Sequence, residues 1–332
     1  MNCLITGVTG QDGSYLAELL LEQGHTVYGV KRRSATNNTT NLAAVLNNPD
    51  FHLVEGDVTD CSFITKLITK VNFNEIYHLA AQSFVGASFT IPHYTTTSIY
   101  DSTIHILEAI RTYSKETRFY FAGSSEMFGS NYSTTENGIK YQDENTAFCP
   151  QSPYSIAKLA GFHLTRLYRE CYGLFACSGI LFNHESPRRG DQFVTQKVVK
   201  YVANLKQHLH SSSLIAPLKL GNLDACRDWG YAPDYVKAMT MILRQGKSRD
   251  LVIATGETHS IKELVETAFE YIGMGKYTYN YVVEDPSLKR PAEVNYLCGN
   301  PAKAKEILGW EPTLKFKDII HLMIDHELQI GL

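Results

Sequence analysis

A strand, a glycine-rich turn and a helix follow one another at the beginning of the chain. Residues 2–6 have the apolar character of a short strand, and residues 14–23 have helical periodicity. Between them, Gly7, Gly10 and Gly13 have the spacing G-x-x-G-x-x-G. In such a unit the glycine backbone and the first turn of the helix lie where a pyrophosphate can bind. Because the motif stands between a strand and a helix, it predicts a dinucleotide site.

The second predicted strand, residues 25–30, ends in a basic turn. Lys31, Arg32, Arg33 and Ser34 follow it, without the carboxylate that usually binds the ribose 2′-hydroxyl of NAD. Arginine guanidinium groups bind phosphate oxygens through two parallel hydrogen bonds, which suits the 2′-phosphate of NADP. The turn therefore favours NADP over NAD.

Strands and helices continue to alternate along the first half of the chain. Residues 51–60 predict a strand and its turn, with Asp57 and Val58 at the tip, and residues 75–83 predict the next strand and its loop. This alternation predicts an α/β fold with a Rossmann-type, doubly wound parallel sheet. Ligands of such a sheet bind beyond the carboxyl ends of its strands.

A serine–serine–glutamate triplet follows another apolar strand, and a Tyr-x-x-x-Lys pair opens a predicted helix. Tyr154 and Lys158 are four residues apart, so they lie on one face of that helix. The ammonium group is expected to lower the pKa of the phenol, which then acts as a base near neutral pH. Ser124 or Ser125 would hold the substrate oxygen. Glu126 is not needed for removing a hydride from an alcohol, so it indicates a second proton transfer at the neighbouring carbon.

Composition excludes several other classes of protein. The 332 residues carry a formal net charge of -3, which gives no basic excess for binding nucleic acid or a membrane surface. The longest apolar runs fall short of a bilayer span, and no signal peptide is visible. The seven cysteines form no Cys-x-x-Cys pair, so we expect free thiols in a reducing cytoplasm. His184, His208 and His210 show no ligand spacing with the cysteines, so no metal is assigned.

The second half of the chain has a less regular order of elements, which includes a predicted helix over residues 194–209 and a short predicted strand over residues 251–254. Several arginines lie in its predicted loops, namely Arg188, Arg189, Arg227 and Arg290. Arginines gathered on one pocket suit a diphosphate. We expect an NADP-binding domain over residues 1–180, with a later segment near 220–255 returning to it. Residues 181–332 would form mainly a smaller, interleaved substrate domain.

Taken together, these motifs resemble the extended short-chain dehydrogenase/reductase superfamily and, within it, the GDP-mannose 4,6-dehydratase family. The resemblance covers nearly the whole chain. Its most specific segments are Thr6–Leu16, Lys31–Ser34, Leu181–Gly190, Leu220–Ala225 with Arg227–Gly230, and Arg290–Val294.

The resemblance implies three steps on one bound sugar nucleotide. Tyr154, kept ionised by Lys158 and assisted by Ser124, takes the C4 hydroxyl proton while a hydride passes from C4 to NADP+. Glu126 then removes the C5 proton, which the new ketone acidifies, and water leaves from C6. The hydride returns to C6 and a proton returns to C5, so the net reaction is a dehydration to a 4-keto-6-deoxy sugar.

The resemblance also implies two sets of binding residues. The cofactor set is Gly7, Thr9, Gly10, Gln11, Asp12, Gly13, Arg32, Arg33, Ser34, Asp57, Val58, Leu79, Ala80, Ala81, Ser83, Tyr154, Lys158, Leu181, His184 and Arg189. The GDP-sugar set is Ser83, Ser124, Ser125, Glu126, Asn183, Lys197, Leu220, Gly221, Arg227, Arg290 and Glu293. A homo-dimer or homo-tetramer is the assembly that the resemblance implies.

Some positions depart from the family pattern. Ser124 stands where threonine is common, and Gln151 and Gln196 stand where arginine is expected. These changes keep the chemistry but leave GDP-N-acetylglucosamine or a GDP-heptose as alternatives to GDP-mannose. A 4-epimerase or 4-dehydrogenase of the same fold is a further alternative, against which Glu126 argues. A catalytically silent NADP-binding scaffold is another, against which the complete catalytic set argues.

Overall fold

The computed structural model describes residues 1–36, 38–208 and 215–330, without the side chain of residue 330. Its strands are β1 (Asn2–Thr6), β2 (Thr26–Lys31), β3 (Phe51–Glu55), β4 (Glu75–His78), β5 (Arg118–Ala122), β6 (Ser133–Thr134), β7 (Lys140–Tyr141), β8 (Ala176–Leu181), β9 (Asn183–Glu185), β10 (Leu218–Leu220), β11 (Cys226–Arg227), β12 (Trp229–Tyr231), β13 (Asp250–Ile253), β14 (His259–Ser260) and β15 (Val282–Glu284).

The α-helices are α1 (Gln11–Glu22), α2 (Cys61–Lys70), α3 (Val85–Ser88), α4 (Pro92–Thr96), α5 (Ser102–Tyr113), α6 (Pro153–Tyr172), α7 (Val194–His208), α8 (Ala232–Leu243), α9 (Ile261–Tyr271), α10 (Thr278–Tyr281), α11 (Ala302–Leu308) and α12 (Phe316–Ile330). Single turns of 3-10 helix occur at Thr40–Leu42, Ser125–Met127, Gly275–Tyr277 and Pro286–Leu288, and a π-helical turn at Thr97–Asp101 precedes α5. Among the described helices, none combines the length and the apolar character needed to cross a bilayer.

Seven of the described strands form one parallel sheet in the order β13-β8-β5-β4-β1-β2-β3. Strand β1 pairs with β2 on one side and with β4 on the other, so the strand order reverses at β1. In doubly wound sheets the ligand cleft lies at this reversal, beyond the carboxyl ends of the strands. The predicted Rossmann-type α/β fold is confirmed.

Both faces of the sheet are covered by helices. Leu4 belongs to the apolar cluster under α2, α5 and α6, whereas Ile5 belongs to the cluster under α1 and α8. This separation arises because successive residues of a strand point to opposite faces. A third cluster, which includes Trp229, joins α7, α9 and α12 and forms a layer beyond the sheet.

The predicted elements agree with the structure apart from their ends. Helix α1 begins at Gln11 rather than at residue 14, since Gly10 already serves as its N-cap. The strand predicted near residues 251–254 is β13, which pairs with β8 at the edge of the large sheet. The helix predicted over 194–209 is described to His208, and Leu209 lies outside the described residues. The assignment of a cofactor half and a sugar half stays a prediction.

Candidate active site

One cleft of about 710 Å³ collects most of the residues predicted to bind or react. It lies beyond the carboxyl ends of β1, β4, β5 and β8, where the fold places ligands. Its lining includes Gly7, Thr9, Gly10, Gln11, Asp12, Gly13, Leu79, Ala80, Ala81, Ser83, Ser124, Ser125, Glu126, Tyr154, Lys158, Leu181, Asn183, His184, Arg189, Lys197, Leu220, Gly221, Arg227, Arg290 and Glu293.

Five predicted cofactor residues are not in this lining: Arg32, Arg33, Ser34, Asp57 and Val58. They follow β2 and β3, which lie at the far edge of the sheet from β4 and β5. The first three are exposed, and the guanidinium of Arg32 donates a hydrogen bond to the Tyr94 hydroxyl. Asp57 accepts from the backbone and hydroxyl of Thr59, and Val58 belongs to the core. Their cofactor roles stay predictions.

The glycine turn has the tight packing that a dinucleotide site needs. Gly7 has a φ of +73°, and a Cβ there would lie 2.9 Å from the backbone of Ala80. A Cβ on Gly13 would lie 2.4 Å from the carbonyl oxygen of Gly7. The turn therefore lies directly against the loop after β4, and the first residues of α1 line the cleft. The backbone N–H groups of a helix N-terminus bind anionic phosphate oxygens, so the residues present fit a pyrophosphate.

A buried hydrogen-bond chain holds the loop after β4. The hydroxyl of Thr6 accepts from the backbone N–H groups of Leu79 and Ala80, each at 3.2 Å. The same hydroxyl lies 2.8 Å from Nδ1 of His78, and Nε2 of His78 lies 2.9 Å from the Ser102 hydroxyl. Burial lowers the pKa of His78 to about 3, so its ring is neutral. This chain, which the sequence did not predict, fixes the floor of the cleft.

The serine–glutamate triplet forms a tight turn at the end of β5. The hydroxyl of Ser124 accepts a hydrogen bond at 3.2 Å from the backbone N–H of Glu126, and it caps the 3-10 turn of residues 125–127. Both residues are buried. The turn holds a hydroxyl and a carboxylate at one end of the cleft, because a capped turn leaves the backbone few alternatives.

Tyr154 lies in the first turn of α6. The helix begins with a capping box in which the hydroxyl of Ser152 accepts from the backbone of Ser155 at 3.0 Å. The ammonium group of Lys158 is buried and donates a hydrogen bond of 2.7 Å to the carbonyl oxygen of Ala122. The two helical residues therefore face the end of β5, as their spacing predicts.

The expectation of a lowered pKa for Tyr154 is wrong in this structure. Burial raises the pKa of Tyr154 to about 12, and the nearby Glu126 carboxylate adds to the increase while the Ser124 hydroxyl opposes it. Burial also lowers the pKa of Lys158 to about 8, with Asp12 opposing that change. Spacing alone did not predict that burial would dominate the pKa of Tyr154.

Asp12 and His184 join the glycine turn to the loop after β8. Nε2 of His184 lies 2.8 Å from Oδ2 of Asp12, and Nδ1 lies 2.7 Å from the carbonyl oxygen of Phe182. Burial opposes the charged form of both groups, but their mutual attraction raises the pKa of His184 and lowers that of Asp12. The pair fixes the distance between the two walls of the cleft.

Two arginines and two carboxylates alternate along one wall of the cleft. Nη1 of Arg290 lies 3.5 Å from Oε1 of Glu126 and 4.0 Å from Oε1 of Glu293. Nη2 of Arg227 lies 3.3 Å from Oε1 of Glu293. Burial lowers the pKa of Arg227, and the nearby Glu126 carboxylate opposes that effect. This arrangement presents two guanidinium groups to a ligand.

Several lining residues escaped prediction, because they are ordinary apolar or polar types: Phe84, Phe193, Glu185, Thr195, Lys219 and Trp229. The rings of Phe84 and Phe193 meet edge to face at 6.0 Å across the cleft, and the guanidinium of Arg189 lies 3.7 Å from the centre of the Phe193 ring. Glu185 accepts from the hydroxyl of Thr195. The buried position of Glu185 has no signal in the sequence.

Arg188, considered for the diphosphate, lines the cleft, and its guanidinium is paired with a residue of helix α1. Its guanidinium lies 2.6 Å from Oε1 of Glu18 and 4.0 Å from the centre of the Tyr15 ring. As for metals, the described residues contain no cluster of three or more His, Cys, Asp or Glu that could ligate one. His210 lies outside the described residues.

Comparison with known proteins agrees with this geometry. The family described as GDP-mannose 4,6 dehydratase matches residues 4–323. A GDP-mannose 4,6 dehydratase of Arabidopsis thaliana is 44% identical over 338 residues, covering 99% of this chain and 87% of the relative. A GDP-mannose 4,6-dehydratase of Vibrio cholerae is 42% identical, covering 98% of this chain and 93% of the relative.

The fold is also found among solved structures. A dTDP-glucose 4,6-dehydratase from Streptomyces venezuelae has a TM-score of 0.84 at 22% identity, covering 99% of this chain and 97% of its own. That likeness concerns the fold, whereas the match along residues 4–323 and the 44% identity concern the family. The chain belongs to the GDP-mannose 4,6-dehydratase family.

Proposed function

We propose that this protein converts GDP-mannose to GDP-4-keto-6-deoxymannose and water, as a carbon–oxygen lyase. The observation that carries the proposal is the meeting of Glu126 with Ser124, Tyr154 and Lys158 in one cleft of a chain from this family. Oxidation of a hydroxyl group needs only Ser124, Tyr154 and Lys158. The carboxylate beside them supplies the base for a second carbon, which distinguishes a dehydratase from a simple dehydrogenase.

The cofactor that fits the glycine turn is a nicotinamide dinucleotide, which would supply the hydride chemistry at C4 and C6. Gly7, Gly13 and the first turn of α1 would hold its pyrophosphate. We assign NADP rather than NAD because the residues after β2 are Arg32 and Arg33, both exposed and cationic.

The side chains of the cleft divide the proton transfers between them. Tyr154 accepts the proton of the C4 hydroxyl, and Ser124 orients that oxygen. The positive charge of Lys158 favours the phenolate that the transfer requires, against the burial that raises the pKa of Tyr154 to about 12. Glu126 accepts the C5 proton once C4 is a ketone and gives it to the C6 hydroxyl, which leaves as water. The proton later returned to C5 makes the sum a loss of one water molecule.

The nucleotide end of the substrate would bind at the alternating arginines and carboxylates. Arg227 and Arg290 suit the diphosphate, and Glu293 suits a ribose hydroxyl. Asn183 and Lys197 line the wall that would face the sugar. On this proposal, residues 1–180 with the returning segment near 220–255 hold the cofactor, and residues 181–332 mainly hold the GDP-sugar.

The direct test is incubation of the purified protein with GDP-mannose and NADP+, followed by mass spectrometry of the sugar nucleotide. We expect the loss of one water without net consumption of cofactor. GDP-N-acetylglucosamine and a GDP-heptose belong in the same panel, because Gln151 and Gln196 stand where arginines are common. A panel in which no GDP-sugar loses water would contradict the proposal.

Assembly and compartment are part of the same proposal. Ile156 and Leu167 lie three turns apart on α6 and are 57% and 47% exposed, which suits an interface in a homo-dimer or homo-tetramer. All seven cysteines are free, which suits the reducing cytoplasm. Light scattering of the protein in solution measures the assembly, and a monomer at working concentration would contradict this part.

A further inference from the structure

The proposed C5 base already has a cationic neighbour in the structure. Nη1 of Arg290 lies 3.5 Å from Oε1 of Glu126, and the two side chains are only 28% and 12% exposed. Arg290 follows the short turn at residues 286–288 and belongs to no helix or strand, so little backbone structure resists its displacement.

The surrounding charges show what would displace it. Arg290 and Arg227 both lie near Glu293, so two guanidinium groups share two carboxylates along one wall of the cleft. A diphosphate carries more negative charge than one carboxylate and offers oxygens to both guanidinium groups at once. A ligand with that group therefore competes with Glu126 for Arg290.

We propose that a nucleoside diphosphate draws Arg290 away from Glu126 and so frees the carboxylate to act on the sugar. This inference rests on the proposed function and adds a coupling between its binding end and its reacting end. Arg290 is a positioning residue here, because a guanidinium stays protonated and exchanges no proton with the substrate.

Because of this coupling, the diphosphate contributes to binding and is also required before Glu126 can remove the C5 proton. An oxygen of Glu126 that faces Arg290 is not directed at the C5 proton of a sugar. A sugar without the nucleoside diphosphate would leave this ion pair in place. Such sugars therefore bind more weakly, and they also react more slowly because Glu126 stays paired with Arg290.

Calorimetric titration with GDP, which binds without reacting, tests the competition. Wild type, Glu126→Gln, Arg290→Gln and the double variant form a cycle. Glu126→Gln removes the competitor, so it should tighten GDP binding about two- to fivefold, the range expected for breaking a partly exposed ion pair. Arg290→Gln should weaken GDP binding, and in that background Glu126→Gln should change nothing. Arg290→Lys keeps a cation at this position. In that background Glu126→Gln should again tighten GDP binding, though by less than in the wild type.

Lys289→Gln is the matched control, since it removes one positive charge from the adjacent position. Nζ of Lys289 lies 3.0 Å from Oε1 of Glu284, outside the cleft lining. In this background the tightening by Glu126→Gln should persist.

Three results would overturn the inference: no tightening by Glu126→Gln, tightening that survives Arg290→Gln, or tightening that Lys289→Gln also removes. The second result would mean direct repulsion between Glu126 and the phosphates. A wild-type protein that does not bind GDP would overturn the proposed function and the inference together, whereas normal GDP binding without coupling overturns the inference alone.

Discussion

The ammonium group of Lys158 donates a 2.7 Å hydrogen bond to the carbonyl oxygen of Ala122, the last residue of β5. The bond joins the helix that carries Tyr154 to the strand that leads into Ser124 and Glu126. Since both partners are buried, water does not compete for the bond. The relative position of the phenol and the carboxylate thus depends on this lysine.

The buried charge of Lys158 predicts a pH-dependent stability. The pKa of Lys158 falls from 10.5 in an unfolded chain to about 8 in the folded protein. Below pH 8 the lysine is therefore charged in the folded and the unfolded state, and burying that charge destabilises the fold to its full extent. As the pH rises from about 8 towards about 10, the folded state loses the proton first and the destabilisation disappears. Relative to Lys158→Met, the unfolding free energy of the wild type should therefore rise by about 2–3 kcal/mol over that interval.

Urea unfolding at a series of pH values measures this difference. Lys115→Met, which alters an exposed lysine outside the cleft, is the control and should show no such trend. Parallel pH curves for wild type and Lys158→Met would contradict the prediction.

Glu126→Gln should separate the two proton transfers. The amide cannot accept the C5 proton, so the rate of water loss should fall by about 100-fold or more. Oxidation at C4 needs Tyr154, Lys158 and Ser124 and should continue, so reduced nicotinamide should accumulate up to one equivalent per protein. Its absorbance and the mass of the sugar nucleotide report the two steps, with exposed Glu136→Gln as the unaffected control. Dehydration at the wild-type rate would refute the role of Glu126.

Gly7→Ala and Gly24→Ala form a matched pair for the cofactor turn. Both glycines have positive φ, +73° and +74°, so an alanine should lower the unfolding free energy by about 1 kcal/mol at Gly24 and by more than that at Gly7. Only at Gly7 does the new Cβ meet backbone, 2.9 Å from Ala80, while nothing lies within 4 Å at Gly24. Titration with NADP+ should therefore show at least about tenfold weaker binding for Gly7→Ala alone. Equal binding losses in the two variants would contradict this account.

Replacing Arg32 and Arg33 together by alanine should change the choice of cofactor. Losing charge-assisted bonds worth about 1.5–3 kcal/mol should weaken NADP+ binding by about 10- to 100-fold and leave NAD+ binding almost unchanged. Arg166→Ala, an exposed arginine paired with Glu170 on α6, is the control. The same loss for both dinucleotides would show that these arginines do not contact a 2′-phosphate.

Much of the fold followed from local pattern. Strand β1, the glycine turn and α1 were predicted because each depends on residues near in the chain. Helical periodicity alone predicted that Tyr154 and Lys158 lie on the same face of their helix. By contrast, the buried Glu185 and the contact between Phe84 and Phe193 depend on segments that meet only in the folded chain.

The sequence by itself determined the order of strands and helices, the glycine turn and the reactive types of side chain, since periodicity and spacing are local properties. Only the tertiary structure decided that burial raises the pKa of Tyr154 and that Arg290 lies against Glu126. Desolvation and ion pairing depend on which distant residues surround a group, and packing alone brings those residues together.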